Sequence, residues 1–270
     1  MLHGQAAPPR WSQALARKGD RVRSGVPILM YHLVSPDVPT PFHSYTVTPA
    51  SFRQQMQALR RLRFTSIGAD DLVAAWDGSA QLPARPVLIT FDDGFRDCLT
   101  HAVPVLQEHG FTATMYVVGG LLGGRSRWMS DVPDLPLLDA GELRELEAAG
   151  VRCESHAWSH PRLATLGSAD IRRELQDSRA ALEDVLGHEV RHLAYPHGSH
   201  DARVLDEARE AGYRSGCTTL PAKAVTTDDV MALPRVKVDG RDGLADFVSR
   251  LLVGKDAGFL LRRVSGRRRG

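Results

Sequence analysis

Cysteine is scarce in this chain. Cys98, Cys153 and Cys217 are the only three, at unrelated spacings and with no CxxC pair. An odd, scattered set argues against a disulfide framework, and Cys153 and Cys217, in apolar surroundings, are expected to be small core residues. Long apolar runs are missing too. No stretch approaches the length of a bilayer span, so no transmembrane segment is expected. Residues 1–25 lack the apolar centre of a secretory signal, which predicts a cytoplasmic protein. Net charge is almost absent at +2, so nothing in the balance calls for nucleic acid as a partner. Arg greatly outnumbers Lys, and basic residues gather at the ends, between Arg10 and Arg23 and at Arg262, Arg263, Arg267, Arg268 and Arg269. Residues 1–24 read as a flexible basic lead and 256–270 as a basic tail. These are either solvated ends or a weak electrostatic foothold on an anionic membrane or acidic polymer.

What is present is ordinary globular material, 43% hydrophobic and 24% charged over 270 residues. Strand-like and helix-like segments alternate along it. Pro27 to Leu33 is β-rich. Thr48 can cap a helix that Pro49 opens and that Phe52, Met56, Leu59 and Leu62 line on one face. A short strand (64–67) and a short helix (70–76) follow. Val87 to Phe91 reads as a buried strand, Ala102 to His109 as a helix stopped by Gly110, and Ala113 to Val118 as a strand. Gly119 to Pro136 is a long Gly- and Pro-rich loop carrying Trp128, suited to shaping a cleft. Asp139 with Glu142 makes a capping box. Strand (151–155), long helix (168–186), strand end (192–195), helix (201–211), strand (213–218), strand (231–238) and helix (245–253) complete the pattern. Strand then helix about seven times predicts one α/β domain over 25–255, its parallel sheet closed or nearly closed into a barrel. In such barrels the chemistry gathers at the C-terminal ends of the strands. Asp92, His156 and Pro196 fall there.

Thr90-Phe91-Asp92-Asp93-Gly94 puts two carboxylates directly after a buried strand. Either aspartate alone suits a turn or a helix cap. His156 and His160 alone suit a surface pair or core histidines as readily as metal ligands, and Pro161 disfavours a regular helix through them. Taken together, one carboxylate and two imidazoles make a three-ligand metal site with an open position, and the spare carboxylate can serve as a base. Hydrolysis by a metal-activated water needs that set.

The sequence resembles the NodB-type polysaccharide deacetylases, carbohydrate esterase family four. Residues 90–94 match their TFDDG motif letter for letter. His156 to His160 matches their H-[ST]-x-x-H motif with Ala at the second place, and Tyr195-Pro196-His197-Gly198 matches their strand-end Pro-x-Gly. The resemblance spans roughly residues 26–240 and implies a distorted (β/α)7 barrel of NodB-homology type. It further implies Asp92 as catalytic base, Asp93, His156 and His160 as ligands of one divalent ion, zinc before cobalt or nickel, and removal of N-acetyl groups from amino sugars of a glycan.

Two departures stand out. Many members carry an Arg two places before the third-motif Pro, where this chain has Ala194. Many also carry a C-terminal Leu-x-His whose His is the general acid, and Gly258 to Arg263 contains no His. Ile28-Leu29-Met30-Tyr31-His32 offers the same arrangement, an apolar strand ending in His, at the other end. This is similar to the poly-N-acetylglucosamine deacetylase subgroup, in which that strand is permuted to the front. The resemblance therefore implies His32 as general acid, with Arg235 a candidate for the missing Arg. A backbone N–H near Tyr195 and Pro196 would face the oxyanion. Asp97, His197 and His200 read as loop residues, and Trp128 and Trp158 as either sugar platforms or core. Two other readings fit part of the pattern: a catalytically silent carbohydrate-binding relative, and a metal-dependent esterase or amidase acting on a non-glycan acyl substrate.

Overall fold

A computed structural model of the chain describes residues 25–37, 40–129 and 134–254, so the basic lead and tail lie outside the described residues. Ten strands occur in chain order: β1 (Ile28–Tyr31), β2 (Leu33–Val34), β3 (Thr46–Val47), β4 (Thr65–Ser66), β5 (Pro86–Phe91), β6 (Ala113–Val117), β7 (Val151–Ser155), β8 (His192–Ala194), β9 (Ser215–Pro221) and β10 (Leu233–Lys237). Seven of them, β1 and β5 through β10, pair in parallel and close on themselves. β1 is the closing strand. It pairs with β10 through Leu29↔Val236 and with β5 through Ile28↔Leu88 to Tyr31↔Phe91. The first strand of the chain therefore sits in space where a strand following β10 would sit. β4 adds to the start of β5 outside the barrel, and β2 and β3 form a separate parallel pair.

Seven α-helices accompany the strands: α1 (Pro49–Arg61), α2 (Ala69–Trp76), α3 (Val103–His109), α4 (Ala140–Ala148), α5 (Ser168–Leu186), α6 (Ala202–Glu210) and α7 (Leu244–Val253). Their ends carry the expected signals. Thr48 Oγ1 accepts from the Ser51 N–H at 3.1 Å, and Asp139 and Glu142 cap one another's backbone at the start of α4. The helix expected from Ala102 is preceded by one wide π-type turn, Cys98–Ala102.

Strand parity sorts the side chains. Val87, Ile89 and Phe91 of β5 face the helices and join the main core with Phe52, Met56, Leu143 and Leu175. Leu88, with Ile28, Tyr116, Ala194, Cys217 and Leu233, fills the barrel interior. All three cysteines are buried free thiols, in keeping with a core role. No helix among the described residues is long and apolar enough to cross a membrane.

Candidate active site

The inward parity that places Ile28 and Leu88 in the interior carries on to the strand ends. It brings His32 after β1, Asp92 after β5 and His156 after β7 to one mouth of the barrel. Asp93 would point the other way on a continued strand. It does not, because the chain turns there through two consecutive left-handed residues, Asp93 (φ 76°) and Gly94 (φ 78°). Asp is among the few residues that tolerate this region, and Gly accepts it freely. The adjacent carboxylates thus face one cleft of about 370 Å³, which His32, Tyr45, Trp128, His197 and Lys237 also line.

Asp92 is clamped from below. Arg235, fully buried on β10, donates to both carboxylate oxygens at 2.7 Å each. The same guanidinium reaches Thr218 O at 2.8 Å and Thr90 Oγ1 at 3.2 Å, and it lies 5.8 Å from the Tyr116 ring centre. A bidentate guanidinium–carboxylate pair fixes orientation as well as charge. Arg235 therefore stands against Asp92 in a chain whose position 194 is Ala. Burial disfavours an ionised Asp92, but Arg235, backed by His156, outweighs it and holds the carboxyl below the usual range.

Asp93, His156 and His160 are all buried, and one donor atom from each lies within 4.8 Å of the others. His156 Nδ1 donates to Ala194 O at 2.7 Å, so in the neutral ring Nε2 carries a lone pair. That Nε2 faces Asp93 Oδ1 at 3.4 Å, and His160 Nε2 faces the same oxygen at 3.1 Å. That shared oxygen can be met by a proton on either ring or by a cation held among the three donors. Separations near these are the edges of a tetrahedron with ligands about 2.0–2.1 Å from zinc. The carbonyl of Ala194 supplies the outer hydrogen bond that metal-ligating histidines usually have. The donor set fits a divalent ion. Burial works against charge on His156, but Asp93 and Asp92 more than offset it and raise its pKa. Burial of Asp93 is likewise outweighed by hydrogen bonds from the two histidines, which leave it well below the usual carboxylate range.

His32 Nε2 lies 4.0 Å from Asp92 Oδ2, across the cleft mouth, and its ring meets Tyr45 edge-on at 5.0 Å. Burial lowers its pKa, partly opposed by Asp93 and Asp92. Tyr195 and Pro196 sit beside the cleft, but Pro196 has no N–H, and the N–H of Tyr195 is already given to Cys217 O at 3.0 Å. The expected oxyanion donor near Tyr195 is therefore not its own amide. His197, the next residue with an N–H, holds a left-handed φ of 57° and packs edge-on against His160 at 4.5 Å. Its imidazole is pushed down to about 4 by burial and by the neighbouring His160 and Arg162. It is thus a wall of the site and not only a loop residue; its place inside the Pro-x-Gly motif was the available signal. Lys237, which no sequence motif marks, also lines the cleft. It stands two residues beyond Arg235 on the same face of β10, with Nζ 4.5 Å from the Tyr45 ring centre. Trp128 stacks on His160 at 4.4 Å, whereas Trp158 is 37% exposed on the far side of the histidine loop. Asp97 accepts the Val34 N–H under β2, and His200 Nδ1 bonds Gly198 O at 2.8 Å; neither borders the cleft.

A family profile described as polysaccharide deacetylase matches residues 79–216. The Bacillus subtilis protein YxkH is 28% identical over 221 residues, covering 82% of this chain and 74% of that protein. The poly-β-1,6-N-acetyl-D-glucosamine N-deacetylase of Escherichia coli is 20% identical, covering 91% of this chain but 41% of its own length. Among solved structures, the Streptococcus pyogenes deacetylase PplD in complex with acetate superposes with a TM-score of 0.71 at 25% identity, covering 80% of this chain and 93% of that one.

Proposed function

The chain belongs to the polysaccharide deacetylase family, and from that premise we propose that it is a metal-dependent hydrolase removing N-acetyl groups from amino sugars of a glycan or glycoconjugate. One observation carries this reading. Three buried donors, Asp93, His156 and His160, converge beside a fourth group, Asp92, that Arg235 holds apart and ionised. The name of the E. coli relative supports an N-acetylglucosamine polymer as substrate. The acetate bound to the streptococcal structure matches the expected product.

Asp93, His156 and His160 would hold a divalent ion, which would supply Lewis acidity to a water and to the amide carbonyl in the cleft. The mixed imidazole and carboxylate set suits zinc, and cobalt or nickel can replace it. Asp92 then acts as base. Its two oxygens are oriented by Arg235, and it takes a proton from the water whose oxygen bonds to the carbonyl carbon. The His197 N–H, the first amide after Tyr195 and Pro196 in the cleft lining, is the proposed donor to the oxygen on which charge develops. As the carbon–nitrogen bond breaks, His32 in its protonated form gives its proton to the departing amine. Acetate and a free amino sugar result. Tyr45 and Trp128 bound the opening through which the sugar enters.

The test is acetate release from N-acetylglucosamine oligomers of β-1,4 and β-1,6 linkage. Release that stops on chelation and returns with zinc is expected. No release from any amide-bearing sugar by protein shown to hold its ion would reject the reading and favour a silent carbohydrate-binding relative.

A further inference from the structure

His156 and His160 sit on one short loop whose backbone is not relaxed. Ala157 has φ 62° and His160 has φ 65°, and neither is glycine. Such conformations persist only where the surroundings impose them. Ser155 Oγ accepts the Ala157 N–H at 3.3 Å, and one side chain takes the next two amides. Glu174, on α5, accepts from the Trp158 N–H at 3.0 Å and the Ser159 N–H at 2.8 Å through Oε2, and from the Ser159 hydroxyl at 2.6 Å through Oε1. The loop carbonyls are held by glycine amides, Gly119 to Ala157 O at 3.0 Å and Gly120 to Trp158 O at 2.8 Å. Gly120 has no room to be anything else, because a Cβ there would lie 2.5 Å from Trp158 Cε2.

We propose that Glu174 is a positioning residue for the metal site: it fixes the left-handed loop that carries the His160 imidazole to Asp93, while His156 is held by the end of β7 and by the Ala194 carbonyl. The proposal rests on the reading of Asp93, His156 and His160 as ligands. Glu174 touches none of the three side chains. It acts through the backbone of the residues between the histidines. Without its three hydrogen bonds the loop amides of Trp158 and Ser159 lose their acceptor, and the strained turn relaxes toward conformations in which His160 turns away from Asp93. The acceptor geometry matters more than the charge. A glutamine can accept both amides on its oxygen while its NH2 donates to the Ser159 hydroxyl, which turns to accept.

The experiment uses the full chain, stripped with chelator and titrated with zinc against a chromophoric competitor, together with amide hydrogen exchange of the metal-free protein. For E174A, zinc affinity is expected to fall about 10–100-fold, the range seen when groups orienting a ligand are removed. Exchange at Trp158 and Ser159 is expected to accelerate in the same variant. E174Q should stay within a few-fold of wild type in both readouts. E174D, which is too short to reach both amides, should fall between, and it keeps the proposal testable if E174A does not fold. Wild-type zinc affinity in E174A or E174D, or equal losses in E174Q and E174A, would overturn the positioning role. A wild-type protein that binds no zinc, or H160A binding as tightly as wild type, would instead overturn the ligand reading, and the proposal with it.

Discussion

One buried carboxylate cannot serve both as a metal ligand and as an ionised base. Asp92 and Asp93 are neighbours in sequence, yet their surroundings divide those roles between them. Arg235 keeps Asp92 charged and oriented, while both histidines converge on Asp93. Asp92→Asn should keep zinc affinity near wild type and lose about 10²–10⁴-fold in turnover, the usual share of a general base. Loss of zinc instead, read by the same competition titration, would mean that the two roles are exchanged. A different carboxylate should set part of the pH dependence of stability. Asp97 is pushed up to about 7 by burial, which the Val34 N–H only partly opposes. The folded state therefore holds the proton more tightly than the unfolded chain, whose Asp titrates near about 4. Its contribution is full below that value and is lost as pH rises toward 7. At about 1.4 kcal/mol for each pH unit, the loss reaches about 4 kcal/mol. Urea unfolding at both ends of the window should show this fall in wild type and a much shallower one in Asp97→Asn. Parallel curves would refute it.

Among the elements, β1 decides whether the site is complete. It lies between β10 and β5, and its last inward position hands His32 to the cleft. His32 meets the edge of Tyr45 and lies 4.0 Å from Asp92, at the mouth of the cleft and outside the two apolar cores. His32→Ala should unfold at the wild-type temperature and lose about 10²–10⁴-fold in deacetylation, as expected for a general acid. Near-wild-type turnover would remove β1 from the chemistry. Much at this scale was legible in the chain. The caps at Thr48 and Asp139, the stop at Gly110 and the runs of β5 and β7 are local signals, and local physics obeys them. Arg235 was less legible. A single Arg on a strand reads as a solvated charge, and only the barrel interior turns it into the partner of a carboxylate 143 positions away. The same limit hid Glu174, one of several acids on α5, because nothing in its own helix marks it as the acceptor for a loop.

For the molecule as a whole, the alternation of strand and helix pointed to a parallel barrel. The same alternation pointed to closure, but that the first strand closes the barrel could be anticipated only through resemblance to a permuted relative, because pairing of β1 with both β5 and β10 joins segments far apart in sequence. Closure is also what gathers the site. The positions contributed by β1, β5, β7 and β10 share a cleft only because their inward parity ends at one rim. The proposed outcome, three ligand groups with a separately held base, can be tested directly. Crystals of the zinc-loaded protein, measured on both sides of the zinc absorption edge, should give one strong anomalous peak bonded to Asp93, His156 Nε2 and His160 Nε2. Asp92 should stay paired with Arg235 outside that shell. A peak ligated by Asp92, or by His197 in place of either histidine, or no peak in this cleft, would contradict it.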